Sequence, residues 1–143
     1  MNTSTVKRYK LRSMPSAMCH VTIQTDDLGA EITLRSYYTD VLNISVDSDH
    51  SSVTLFATGT YSVTTARHIN RFTNEFFGIN LYHEIKRELD GNNGGAYMEI
   101  SHSTAPEVYD RVCRAIRAYE NYGITFHDYT KSQVERFRAH RFY

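Results

Sequence analysis

SVTLFATGTYSVTTARHINRFTNEFF, residues 52 to 77, contains the change of period that decides the fold. Its first half reads as a strand interrupted by Gly59, with Tyr61 and Val63 closing it. From Thr64 the apolar residues fall at Ile69, Phe72 and Phe76, one stripe of an amphipathic helix. Ser62 or Thr64 supplies the hydroxyl that an N-cap uses, and Thr65 can serve the same exposed amides. His68 and Arg71 are read to one side of this helix, away from Ile69 and Phe72. A lone histidine there is expected at the surface or its boundary.

Upstream the text is β-like. CHVTIQT (19 to 25) leads through a turn at DDLG into EITLRSYYTDVLNISV (31 to 46), where Ile32 and Leu34 alternate, and later Leu42, Ile44 and Val46. A bulge, a bend or a tight connection is expected between the two sets, near Tyr38 to Asp40. DSDHSS (47 to 52) is a turn before the quoted stretch. The first residues, MNTSTVKRYKLRS, carry only positive charge and no periodicity, which predicts a flexible basic arm over 1 to 16 and a single domain over 17 to 143.

Downstream, a second helical stripe runs through Leu81, Ile85 and Leu89 after Gly78. This predicts one helix kinked at the glycine or two in succession. DGNNGG (90 to 95) is a loop, AYMEIS (96 to 101) a strand, and TAPEVYDRVCRAIRAYENYG (104 to 123) a helix with Val108, Val112, Ile116 and Tyr119 on its apolar face. Thr104 with Glu107 reads as a capping box, Pro106 sits in the first turn, and Gly123 closes the helix. A last helix is expected from Thr130 to Arg141. The sum is an α+β fold: an antiparallel sheet of about four to five strands with three to four helices packed mainly on one face.

The chain of 143 residues can bury roughly two-thirds of the surface its unfolded form exposes. Sixteen basic and sixteen acidic residues balance, so no global field draws it to nucleic acid or membrane, and an electrostatic partner must meet a local patch. No apolar run is long enough to span a bilayer, and no apolar stretch follows the basic start, so a soluble cytoplasmic protein is expected. Cys19 and Cys113 match no metal or redox spacing, and no cofactor is implied. The 11 tyrosines fit either an interface protein or an aromatic-rich core.

Ser36, Tyr37 and Thr39, followed by Tyr61, Ser62, Thr64, Thr65 and His68, make a pattern Ser-Tyr-x-Thr then Tyr-Ser-x-Thr-Thr-x-x-His. This pattern resembles an uncharacterised domain family carried by small proteins of bacteriophages and other mobile elements, over residues 36 to 72. The resemblance transfers no catalytic residue. What it implies is context: a protein of the host-cell cytoplasm that binds a host component, with anti-CRISPR inhibitors of defence nucleases as one such class.

Two further patterns bear on chemistry. HVT (20 to 22) and HST (102 to 104) resemble the paired His-x-Thr motifs of two-histidine phosphoesterases that act on cyclic nucleotides, where one imidazole activates the nucleophile and the other protonates the leaving oxygen. The pattern is short, and the chain holds 7 histidines. His68 and His83 are too far apart for one helical face to hold a metal simply. Arg111, Arg114 and Arg117 recur every third residue on one helix. Arg136, Arg138 and Arg141 gather beside Phe142 and Tyr143. Arginine interleaved with aromatics suits a protein hot spot or a nucleic-acid backbone; alternatively the helical arginines pair with Glu107, Asp110 and Glu120 on a solvated face. The expected function is therefore a non-enzymatic binding protein that inhibits a host defence complex, such as a CRISPR nuclease. Those six arginines with Phe142 and Tyr143 are its contact residues, followed by Arg67, His68 and Arg71. A nucleic-acid-binding regulator and a two-histidine phosphoesterase are the alternatives.

Overall fold

The computed structural model describes residues 5–58, 63–91 and 95–125. Five strands follow one another as a meander: β1 (Thr5–Lys10), β2 (Cys19–Asp26), β3 (Gly29–Ser36), β4 (Thr39–Asp47) and β5 (Ser52–Thr58). Two helices come next, α1 (Val63–Phe77) and α2 (Tyr82–Gly91). β6 (Gly95–Ser101) then pairs antiparallel with β5, and α3 (Pro106–Tyr122) follows. The sheet order is β1-β2-β3-β4-β5-β6, every neighbouring pair antiparallel.

Alternation builds the core. Register aligns Val21, Leu34, Leu42 and Ala57 in one cross-strand row and Ile23, Ile32, Ile44 and Leu55 in the next, all buried. The helices cover this face, through Ile69, Phe72 and Phe76 of α1, Ile85 and Leu89 of α2, and Val112, Ile116 and Tyr119 of α3. Burying Phe72 or Phe76 contributes roughly 3 kcal/mol each. The α+β class is as expected, with one strand more than the upper expectation.

The additional strand comes from the segment read as a flexible arm. Tyr9 is 3% exposed and Leu11 is fully buried, and Tyr9 lies opposite Val21. An edge strand needs few apolar anchors, so two buried residues suffice, while Lys7 and Arg8 remain exposed. The arm is thus folded from Thr5 onward, and Arg12 and Ser13 are tied down as well. The backbone N–H of Arg12 donates to Tyr119 Oη (2.9 Å), that of Ser13 to Glu75 Oε2 (2.9 Å), and Tyr119 Oη donates to Glu75. One carboxylate on α1 thereby joins the chain start to α3.

The connection expected near Tyr38 to Asp40 resolves into two features. Tyr37, at φ 58°, turns the chain between Ser36 and Thr39, and Val41 bulges between the pairs Arg35–Asp40 and Leu34–Leu42. The bulge lets both Val41 and Leu42 be buried. α1 and α2 are separate helices. Gly78, at φ 81°, ends the first, and side chains of α1 then organise the second: Asn70 Oδ1 accepts from the Tyr82 N–H (3.0 Å) and Thr73 Oγ1 from the Leu81 N–H (3.1 Å). Pro106 opens α3 as expected, but its N-cap is Ala105. Thr104 Oγ1 instead donates to the Ser101 carbonyl (3.0 Å), finishing the β6 turn, so no capping box forms. Gly123 N–H donates to the Tyr119 carbonyl (2.8 Å), and Tyr9 packs so closely that a Cβ on Gly123 would fall 2.6 Å from its ring. The expected helix over Thr130 to Arg141 lies outside the described residues.

Candidate functional site: a sealed polar cluster and an arginine-bearing helical surface

Ser36 is the last residue of β3, and continuing the alternation of Ile32 and Leu34 aims it at the helices. On α1, Thr65, His68, Ile69 and Phe72 are spaced so that all face the sheet. Ser36 and α1 therefore meet. Ser36 Oγ lies 2.8 Å from His68 Nδ1 and 2.9 Å from Thr65 Oγ1. With the imidazole proton on Nε2, Ser36 donates to Nδ1 and accepts from Thr65, which satisfies all three groups. The Tyr37 ring lies 6.1 Å from the imidazole, centroid to centroid.

Three polar residues of the quoted pattern are thus one hydrogen-bonded unit, which sequence spacing could not reveal because 32 positions separate Ser36 from His68. Thr64 is half-buried and Thr39 exposed, while Tyr61 and Ser62 lie outside the described residues. His68 is 1% exposed and Ser36 2% exposed, so the expectation of a surface or boundary histidine fails. The apolar stripe of α1 is one position wider than its aliphatic and aromatic residues indicate, and Ser36 gives the imidazole a partner there. Burial, and secondarily the Arg67 charge, push the His68 pKa below that of a free histidine. A hydroxyl against an imidazole is the geometry of an activated nucleophile. Here neither atom can meet a substrate, and the unit braces α1 against the end of β3. The same burial removes His68 from the set of direct partner contacts.

The two His-x-Thr motifs do not converge. His20 lies in β2 beside Arg35 of β3, and His102 directly follows β6, four sheet positions away. Four strand spacings amount to about 19 Å, too far for one phosphate. His20 Nε2 lies 3.3 Å from the Ala17 carbonyl, and His102 packs edge-on against Tyr109. Among the described residues no group of three His, Cys, Asp or Glu side chains could hold a metal, and His83 is exposed on α2 while His68 is buried on α1.

The arginines divide differently. Arg67 and Arg71 are exposed on the outer side of α1, and Arg111, Arg114 and Arg117 on the outer side of α3, which packs against α1. Among the described residues none of the α3 arginines forms a salt bridge with Glu107, Asp110 or Glu120. Arg111 instead lies across the end of α1, where a Cβ on Gly78 would fall 2.9 Å from its guanidinium carbon. A cation there is favoured by the negative end of the helix dipole. Sequence reasoning missed Arg12, whose guanidinium lies over the rings of Tyr119 (5.8 Å) and Tyr122 (6.0 Å) at the far end of α3. No local signal marks it, since the contact spans the whole fold. Arg136, Arg138, Arg141, Phe142 and Tyr143 lie outside the described residues.

No described helix is long and apolar enough to cross a membrane. No protein-family model, curated protein or solved structure matches the chain.

Proposed function

We propose that this is a non-enzymatic binding protein that inhibits a host defence complex, of which a CRISPR nuclease is the type, by laying the outer face of α3 and α1 on a macromolecular surface. What supports this reading above all is the division of polar groups. The Ser36–His68 pair that could act as nucleophile and base is sealed, whereas Arg67, Arg71, Arg111, Arg114 and Arg117 are exposed and structurally uncommitted apart from the packing of Arg111. Arginine forks bind carboxylates and phosphates in two-point contacts and recur at interface hot spots. Five of them on two packed helices serve a partner better than they serve the fold. Arg12, stacked on Tyr119 and Tyr122, adds a rigid cation at the end of the same helix.

The test is an affinity pull-down from a host lysate, with and without nuclease, comparing wild type with Arg111→Glu/Arg114→Glu/Arg117→Glu. A near-stoichiometric, nuclease-resistant host protein that is lost in the triple variant is the expected outcome. Retention by the triple variant would sink the proposal. Capture that disappears with nuclease and falls steeply with salt would favour the nucleic-acid regulator instead.

A further inference from the structure

The two edges of the sheet are finished differently. At β1 the groups pointing outward belong to Val6, Arg8 and Lys10, and the Lys10 N–H already donates to the Ile124 carbonyl (2.8 Å), with Tyr9 bridged to Thr125. That edge also carries Lys7, Arg8 and Lys10, which repel a second copy of themselves.

At β6 the register decides which groups face out. The His102 N–H donates to the Ser51 carbonyl (2.7 Å), and the same register pairs Val53 with Ile100 and Leu55 with Met98. Hydrogen-bonded and non-bonded pairs alternate in an antiparallel ladder. The backbone N–H and C=O groups of Tyr97, Glu99 and Ser101 therefore point away from β5. The Ser101 carbonyl is taken by the N–H groups of Thr104 (3.1 Å) and Ala105 (2.9 Å). Those of Tyr97 and Glu99 lie along an edge with which no strand pairs among the described residues. This stretch, GAYMEIS, has no proline, no lysine and no bulge, three of the devices that protect edges, and Glu99 is its one charge.

We propose that β6 pairs with β6 of a second copy of this chain, joining two six-stranded sheets across a two-fold axis. An antiparallel two-fold pair must bring outward-facing residues opposite one another, and the choice among such registers is decided by length and charge. Centring the axis on Met98 pairs the whole strand, Gly95 with Ser101′ and Tyr97 with Glu99′. Centring it on Glu99 would oppose two carboxylates, and centring it on Tyr97 shortens the ladder. Tyr97 Oη already donates to Glu99 Oε2 within the chain (3.1 Å), so the same contact is available across the axis. Both side chains are exposed, Tyr97 at 62%. The cleft of about 300 Å³ between α2 and β5–β6 is rimmed by Glu84, Arg87 and Glu88. This interface is on the opposite side of the sheet order from β1 and is independent of what the α3 arginines bind.

The experiment is sedimentation velocity on the full chain over a wide concentration range, with Glu99→Pro as the variant. Proline at 99 removes only an outward N–H, so β5–β6 pairing survives and circular dichroism should match wild type. A wild type sedimenting at twice the 16.5 kDa chain mass and a Glu99→Pro variant sedimenting as monomer are expected. The register is tested separately with Met98→Cys in a Cys113→Ser background. Residues on the axis in a non-bonded pair come within disulfide reach, so mild oxidation should cross-link the copies. A monomer at every concentration, a dimer that survives Glu99→Pro, or no cross-link through Cys at 98 would each overturn the proposal.

Discussion

Replacing Ser36 by alanine removes one oxygen and takes from His68 Nδ1 the hydroxyl that faces it. His68 Nδ1, 2.8 Å from that oxygen, and Thr65 Oγ1, 2.9 Å from it, sit on residues 1% and 7% exposed, where water cannot take the place of the lost group. A buried polar group left without a partner costs about 1–3 kcal/mol, so Ser36→Ala should destabilise by about 2 kcal/mol. The double variant Ser36→Ala/His68→Phe removes the demand along with the supply, leaving an aromatic ring of similar size in an apolar pocket. Its cost should fall short of the sum of the two single variants by about 1 kcal/mol or more. Urea unfolding followed by circular dichroism measures this as a shift in midpoint at unchanged slope. Strict additivity, or a Ser36→Ala cost below about 0.5 kcal/mol, would refute the view that these three residues act as one buried brace.

Other consequences are equally open to measurement. Because burial depresses the His68 pKa, the unfolded chain binds the proton more readily; stability should be complete above the ordinary histidine range and fall as pH drops below about 6.5, and His68→Phe should flatten that slope in melts across pH. Gly29, at φ 151°, has the Val46 carbonyl oxygen where a Cβ would lie, only 1.8 Å away, so Gly29→Ala must distort the β2–β3 turn and should cost about 3 kcal/mol in urea titration. Cys19 is fully buried and its thiol is pushed up to about 12, by burial first and then by Glu75, so the native protein should show only Cys113 reacting with a thiol reagent until it is unfolded.

Much of the fold was readable locally because local patterns carry it. Period-two runs mark β2 to β6, although β5 ends at Thr58 and Val63, read as closing that strand, is the first residue of α1; Leu81, Ile85 and Leu89 mark α2. The turn that pairs Ser36 with Thr39 would set Ile32 and Leu34 opposite odd positions of β4, and the extra residue Val41 brings Leu42 and Ile44 opposite them in one core. Two readings failed, one because the deciding partner lay far along the chain and one because a carbonyl three residues back competed. The basic start reads as an arm because its charge is local and visible, whereas the Tyr9 site is made by β2 and by Gly123. Thr104 carries a capping pattern, yet the carbonyl of Ser101 competes for its hydroxyl.

The candidate site divides in the same way. Exposure of Arg111, Arg114 and Arg117 follows from helical geometry once Val112, Ile116 and Tyr119 define the inner side, so sequence alone determined it. Sequence likewise determined that the chain would alternate apolar and polar residues into strands, and that helices with one apolar stripe would cover the resulting face. Only the tertiary structure decided that Ser36, Thr65 and His68 share one buried hydrogen-bond unit, that His20 and His102 stand four strands apart, and that among the described residues β1 and β6 form the two edges of the sheet, β1 bridged at Tyr9 to Thr125. Periodicity says which way a side chain faces relative to its own backbone; what it faces depends on contacts between distant residues, and those exist only after the chain has closed on itself.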